Sequence, residues 1–129
     1  MTPLPTPSRG EIWFAKLPTD PSDKSPRPVI VVSVEARNAN PRASTVMVIP
    51  LSTTPKRAPT HVELAPGETG LAEYSIARTE DLSLMRKEWM LAPRQSLRRI
   101  TDERIRQMAA GVLIAMGCSP LPAASTERP

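Results

Sequence analysis

The chain is poor in the residues that most often build metal centres and covalent cross-links. Its 129 residues include a single cysteine, Cys118, and a single histidine, His61. One cysteine cannot form an intramolecular disulfide or a cysteine-based zinc site, and one histidine cannot supply a cluster of ligands. No nucleotide-binding glycine loop, metal-binding motif or serine-hydrolase elbow occurs either. We therefore expect neither a bound metal nor another cofactor.

Long apolar segments are also missing from the sequence. No apolar run approaches the roughly 18 residues needed to span a membrane. Residues 1–8 are rich in proline and threonine and lack the apolar centre of a signal peptide. We expect a cytoplasmic protein that does not enter a membrane.

Aromatic side chains make up 3% of the chain, namely Trp13, Phe14, Tyr74 and Trp89. Proteins that bind single-stranded nucleic acid usually stack bases on such rings. Some of these four must serve the core, so the surface available for stacking is small.

Proline, in contrast, is abundant, with 16 residues spread along the chain without a period. Proline breaks helices and central strands, and it normally accounts for about 5% of residues. A helical bundle is therefore disfavoured, and short strands joined by proline-rich loops are favoured.

The net charge is +4, the sequence pI is about 9.8, and arginine outnumbers lysine. A basic protein suits a polyanion such as nucleic acid, and arginine is the better phosphate ligand. The plainer interpretation is a basic surface that keeps the protein soluble.

Apolar patterning predicts five to seven short strands followed by one helix. The strand candidates lie at residues 10–17, 29–32, 45–49, 61–64 and 75–78, and the third is expected to stop at Pro50. Residues 82–91 fit one helical turn followed by a short strand. Thr101 and Gly117 fit the two ends of an amphipathic terminal helix.

These elements predict a mainly β fold, a small and partly open barrel whose C-terminal α-helix covers one end. One domain is expected at residues 9–117. A flexible arm at residues 1–8 and a disordered tail at residues 118–129 would flank it.

Arg27 and Ser52 are the first candidates for chemistry. Arg27 ends a proline-rich loop just before a buried strand, and Ser52 follows the next apolar run along the chain. If the two strands are neighbours, both side chains emerge at one rim, where an arginine and a hydroxyl can hold a phosphate. Spacing alone favours a plainer interpretation, a loop arginine paired with Asp20 or Asp23 beside a serine that merely ends a strand.

A second group of polar residues lies in the loops around these positions. Lys24, Lys56, Arg57 and His61 fit contacts to a nucleic-acid backbone. The alternative is a solvated basic loop, with His61 as a polar residue on a half-exposed strand.

Several segments occur in a distinctive order: RGEIW at 9–13, RPVIVVS at 27–33, VIPLST at 48–53, PTHVEL at 59–64, and GL at 70–71 followed by SIA at 75–77. Each is weak alone. Their order and spacing over residues 9–117 resemble those of the PemK/MazF toxin family.

The resemblance implies an SH3-like barrel, a homodimer, and sequence-specific cleavage of single-stranded RNA without a metal. The implied chemistry is attack of a ribose 2′-hydroxyl on the adjacent phosphate, and a cognate antitoxin protein would silence it. In this scheme Arg27 steadies the phosphorane and helps to move protons. Ser52 or Thr53 holds a non-bridging oxygen or assists proton transfer.

The chain departs from the family pattern at three places. Residues 20–25 replace a G-S-E run, Ser52 replaces a threonine, and Ser83 and Leu84 replace an Arg-Thr pair. Two alternatives therefore remain. One is a protein-binding toxin like the gyrase poisons that share the fold, and the other is a family member that binds RNA without cutting it.

Overall fold

The computed structural model describes residues 4–54, 57–92 and 97–118. Within these ranges it contains seven strands, three α-helices and two single 3-10 turns. The strands are β1 (Ile12–Ala15), β2 (Arg27–Val31), β3 (Thr45–Ser52), β4 (His61–Leu64), β5 (Ser75–Arg78), β6 (Ser83–Arg86) and β7 (Met90–Leu91). The helices are α1 (Glu35–Asn38), α2 (Pro66–Thr69) and α3 (Asp102–Ala115), and the 3-10 turns are Thr79–Asp81 and Lys87–Trp89.

All strand pairs are antiparallel, in the order β4-β5-β3-β2-β1-β7, with β6 paired to β3. The ends of this order, β4 and β7, do not pair with each other, so the sheet remains open. Helix α3 packs on β4 and on the turn Thr79–Asp81. The predicted mainly β, partly open fold with a C-terminal helix is confirmed.

The expectation that the third strand stops at Pro50 is wrong, because β3 continues to Ser52. One edge of β3 pairs with β6 through Thr45 to Val48, and then with β5 through Leu51 and Ser52. Pro50 therefore lies between the two partners on that edge, where no ladder bond needs its missing N–H.

Two apolar clusters lie on opposite faces of the central strands. Ile30, Ile49 and Leu51 face a cluster under α3, whereas Val29, Val31 and Val48 belong to a second cluster with Ala15, Val46 and Met90. Consecutive residues of a strand point to opposite faces. This explains why residues 29–32 form an unbroken β-branched run, as predicted for a strand buried on both sides.

The segment 82–91 also differs from its prediction of a helical turn followed by a strand. It forms strand, 3-10 turn and strand, because Ser83–Arg86 pairs along the first half of β3. The turn is anchored by Lys87, which is 3% exposed and donates from Nζ to the Asn40 carbonyl at 3.0 Å. This pairing joins segments far apart in the chain, so the local sequence pattern does not predict it.

Contacts with the domain include residues just beyond 9–117 at both ends. Pro7, in the predicted flexible arm, is buried, so that end of the arm packs against the domain. Helix α3 begins at the predicted Thr101 cap, whose hydroxyl accepts from the Arg104 amide. It ends with Gly117 at φ +82° and with the Cys118 amide donating to the Leu113 carbonyl at 2.8 Å. The rest of the predicted tail, residues 119–129, lies outside the described residues.

Helix α3 is fixed to α2 by a two-pronged ion pair. Arg104 donates from Nε and Nη2 to the two carboxylate oxygens of Glu68, at 2.7 and 3.1 Å. Hydrogen bonding to Arg104, opposed by partial burial, holds the pKa of the Glu68 carboxyl below its ordinary value. Paired, planar bonding of this kind sets an orientation as well as an energy.

Close approach of α3 to the sheet depends on Gly111. A Cβ at this position would collide with the Thr79 hydroxyl and lie 3.0 Å from the Thr60 carbonyl oxygen. Gly67 offers a matched comparison, because nothing lies within 4 Å of a Cβ placed there.

We expect Gly111→Ala to lower the free energy of unfolding by about 1–3 kcal/mol, because the overpacking outweighs the better helix propensity of alanine. Gly67→Ala should leave stability within about 1 kcal/mol of the wild type. Urea unfolding of both variants measures the difference. A Gly111→Ala protein as stable as the wild type would mean that α3 is not seated at this depth.

A second polar network joins β4 to the turn after β5. The Thr60 hydroxyl donates to Glu80 Oε1 at 2.8 Å, and His61 Nε2 lies 3.0 Å from Glu80 Oε2. Burial opposes ionisation of Glu80. Hydrogen bonds from its own backbone amide, His61 and Thr60 outweigh burial and lower its pKa from 4.5 to about 2.

Because the folded pKa of Glu80 is depressed, its carboxylate stabilises the fold fully above pH 4.5, and this contribution is lost as pH falls towards 2. We expect Glu80→Gln to be less stable than the wild type near pH 7, with the difference shrinking below pH 4.5. Melting curves across this range test it, with Glu73→Gln as an exposed control. A stability difference that stays constant down to pH 3 would contradict this role.

Candidate active site

Arg27 is the first residue of β2 and its side chain is exposed. It pairs with Ala15 of β1 through the backbone, which fixes the direction in which it leaves the sheet. Among the described residues, no carboxylate lies within 4 Å of its guanidinium, and no hydrogen bond to it is formed. The alternative in which Arg27 is ion-paired to Asp20 or Asp23 is therefore not what the structure shows.

Asp20 is instead held by its own loop. One carboxylate oxygen accepts from the Leu17 amide at 3.0 Å, and the other lies 3.7 Å from Lys24 Nζ. The backbone hydrogen bond from Leu17, opposed by desolvation and assisted by the charges of Lys24 and Arg27, lowers the pKa of Asp20. The Asp20 carboxylate is therefore stabilised mainly by groups of its own loop and only weakly by Arg27.

Ser52, the last residue of β3, lies at the same end of the sheet as Arg27. The ladder between β2 and β3 pairs Val29 with Pro50, and the same register continued outward by two residues sets Arg27 opposite Ser52. The Ser52 Oγ accepts from the Thr54 amide at 3.1 Å, which leaves its own proton able to donate. Thr53 beside it is exposed.

Two cavities flank this end of the β2–β3 pair. The larger, about 430 Å³, is called the Arg27 groove here and is lined by Ala15, Leu17, Arg27, Val29, Val48, Pro50, Asp81, Ser83, Leu84, Met85 and Trp89. The smaller, about 200 Å³, is lined by Pro28, Leu51, Ser52, Thr53, Leu71, Ala72, Glu73 and Ser75. Arg27 and Val29 line the larger cavity and Pro28 the smaller one, as expected for side chains that alternate between the two faces of a strand. At the end of β3 this alternation stops, because Leu51, Ser52 and Thr53 all line the smaller cavity. The guanidinium and the hydroxyls therefore lie in separate cavities at this end of the sheet.

The Arg27 groove also contains Ser83 and Leu84, the two positions where the sequence departs from the expected Arg-Thr pair. The departure therefore falls inside the candidate site. Sequence reasoning did not assign Leu17, Asp81 or Trp89 to this groove. The signal for Trp89 was its being one of only four aromatic residues.

The remaining basic candidates do not form one cluster with Arg27. Lys24 is bound to Asp20, and Arg57 is exposed with its Nε 3.9 Å from Glu63. The His61 side chain is 7% exposed and lines a different groove, of about 610 Å³, between β4 and α3. Lys56 lies outside the described residues.

No group of three histidine, cysteine or acidic side chains that could hold a metal ion occurs in the described parts of the chain. In the same ranges, none of the helices is long and apolar enough to cross a membrane. A guanidinium without an ion-pair partner among the described residues, a hydroxyl at the same end of the sheet and apolar walls suit a phosphodiester, whose developing negative charge they can stabilise.

Comparison with known proteins gives a consistent result. A family model described as PemK-like, MazF-like toxin of type II toxin-antitoxin system matches residues 8–116. The chain is 29% identical over 119 residues to a probable endoribonuclease MazF5 of Mycobacterium tuberculosis, covering 92% of this chain and 99% of that protein.

Solved structures agree with this match in their fold. An endoribonuclease from a mycobacterial species superposes with a TM-score of 0.68 at 23% identity, covering 92% of this chain and 98% of the other. A mycobacterial endoribonuclease in complex with its cognate antitoxin gives 0.65 at 22% identity, covering 90% and 97%. Since the family model spans most of the chain, this protein belongs to the PemK-like, MazF-like toxins of type II toxin–antitoxin systems.

Proposed function

We propose that the protein is a cytoplasmic endoribonuclease that cleaves single-stranded RNA at specific sequences without a metal ion. The observation that carries the proposal is Arg27, exposed at the end of β2 with no carboxylate among the described residues in ion-pair contact, at the same end of the sheet as Ser52. The relative named as a probable endoribonuclease supports the same reaction.

In the proposed reaction the ribose 2′-oxygen attacks the adjacent phosphorus, and the bond to the 5′-oxygen breaks. The 2′-hydroxyl loses a proton and the departing 5′-oxygen gains one, which leaves a 2′,3′-cyclic phosphate and a 5′-hydroxyl end. Arg27 donates hydrogen bonds to the non-bridging oxygens, on which negative charge develops, and helps to move these protons. Ser52 or Thr53 holds a non-bridging oxygen or assists proton transfer.

We propose that basic side chains outside the Arg27 groove contact the backbone of the substrate. Arg57 and Lys24 are proposed contacts, and Lys56 remains a prediction because it lies outside the described residues. His61 is a weaker candidate, since its ring is mostly buried against Glu80. These residues would give binding that weakens as salt rises.

Control by a cognate antitoxin is part of the proposal, as is a homodimer. A similar structure was determined as an endoribonuclease in complex with its cognate antitoxin. An acidic antitoxin segment lying over the rim would neutralise Arg27 and block the groove.

A second candidate function, RNA binding without cleavage, is favoured by one observation. Ser83 and Leu84 replace the expected Arg-Thr pair, and both line the Arg27 groove. A reading in which the protein binds only another protein does not explain why a guanidinium and a hydroxyl share this rim. Cutting assays separate the two RNA-directed functions directly.

We expect Arg27→Ala to slow cleavage of a long RNA in EDTA by about 10²- to 10³-fold, the usual cost of removing one preorganised donor. Because Arg27 is exposed, the substitution should change the free energy of unfolding by about 0.5 kcal/mol or less. Arg27→Lys should rescue poorly, since an ammonium cannot reproduce the planar fork.

The matched control is Arg106→Ala, which removes the same charge from an exposed position on α3. It should cut at the wild-type rate. Equal cutting by Arg27→Ala and the wild type would refute the site, and activity lost in EDTA but restored by magnesium would refute metal independence.

The hydroxyl role is tested by Ser52→Ala, Thr53→Ala and the double substitution. If either oxygen can serve, each single change should cost less than about tenfold, and the double change should cost more than the product of the two. Rates on one RNA substrate, normalised to folded protein, give the comparison. A double variant that cuts normally would remove both hydroxyls from the mechanism.

A further inference from the structure

Trp89 occupies a place in the Arg27 groove that the proposed reaction does not use. It is the sole aromatic residue among those lining this groove in the described part of the chain. Its side chain is half-buried, so it is neither enclosed in the core nor loose on the surface. The other three aromatic residues lie outside the groove lining.

The backbone segment that carries the Trp89 ring is held by hydrogen bonds at both ends. Trp89 ends the 3-10 turn Lys87–Trp89, and its carbonyl accepts from the Lys16 amide of the neighbouring chain segment at 3.1 Å. At the other end of the turn, buried Lys87 is bonded to the Asn40 carbonyl. These bonds hold the backbone at Trp89, so the ring starts from a fixed position in the groove and less of the segment has to be ordered when a ligand packs on it.

The surroundings of the ring suit a flat, polarisable ligand. The Arg86 guanidinium carbon lies 5.8 Å from the ring centroid, and Arg86 is also held by Glu88 at 3.2 Å. Leu84, in the same groove, is 61% exposed although it is a large apolar residue. The indole and the exposed Leu84 line the groove and form a surface that a nucleobase can cover, and Arg86 lies over the ring without being part of the groove lining.

From this arrangement we propose that Trp89 stacks against the base of a nucleotide whose phosphate is held by Arg27. This inference rests on the proposed function and deepens it. The groove volume of about 430 Å³ lies within the range of small-ligand sites, and its lining carries both the phosphate ligand and the aromatic surface.

Trp89 is then a substrate-positioning residue. Stacking fixes the ribose relative to Arg27, so that the phosphate and its neighbouring 2′-oxygen occupy a defined place. Because every base presents a flat aromatic face, stacking on Trp89 adds affinity without selecting among the four bases. Sequence specificity must then come from other residues of the site.

The direct test uses the fluorescence of Trp89. In the Trp13→Phe protein Trp89 is the remaining tryptophan. This protein is titrated with a single-stranded 2′-O-methyl RNA of mixed sequence, which binds but cannot be cleaved by 2′-hydroxyl attack. We expect quenching that saturates with the binding curve measured independently by anisotropy of the labelled RNA.

Substitutions of the two tryptophans provide a second test. Trp89→Leu should weaken binding of the same RNA by about 5- to 100-fold, the range expected for one lost base–aromatic stack. Trp89→Phe should retain most of the affinity, and Trp13→Phe should bind like the wild type. Melting temperatures establish that each variant is folded.

The outcomes separate the two proposals. Binding that depends on Arg27 but produces no quenching, with Trp89→Leu unimpaired, would overturn the stacking role alone. No binding of RNA by the wild type would overturn the proposed function together with this inference. Loss of antitoxin binding instead of RNA binding in Trp89→Leu would assign the ring to a protein contact.

Discussion

The structure depends on one strand that serves three neighbours. β3 pairs with β2 on one edge and, on the other, first with β6 and then with β5, changing partner at Ile49 and Pro50. This exchange joins the two halves of the sheet through a shared strand, and β3 contributes side chains to both apolar clusters, one on each face. The walls of the Arg27 groove include residues of β1, β2, β3 and β6, so they come from segments far apart in the chain.

Much of this architecture was readable in the sequence. Strand positions followed from β-branched runs, the buried β2 from its unbroken apolar pattern, and the ends of α3 from Thr101 and Gly117. The predictions that were wrong concern pairing between distant segments. By local rules Pro50 should end a strand. β3 continues past it because the strand changes its pairing partner at that point. Residues 82–91 contain two strands because β6 pairs with β3 and β7 pairs with β1. A local sequence pattern carries no information about such pairing.

The same distinction holds for the candidate site. The prediction that Arg27 and Ser52 emerge at one rim came from each residue's place at a strand end. Both lie at the same end of the β2–β3 pair, although their side chains line separate cavities. The two cavities were not predictable, since they depend on which face each side chain takes. His61 was grouped with the basic loop by sequence distance, whereas packing under α3 turned it towards Glu80. Catalytic roles for Arg27, Ser52 and Thr53 remain predictions.

No described carboxylate forms an ion pair with Arg27, and this bears on how the protein is inhibited. A carboxylate from the same chain would hold the guanidinium in a permanently resting state, and none lies within ion-pair distance among the described residues. The described part of the chain therefore contains no acid that masks the charge of Arg27. If Arg27 acts as proposed, inhibition requires a second molecule that covers this rim, one copy for each site.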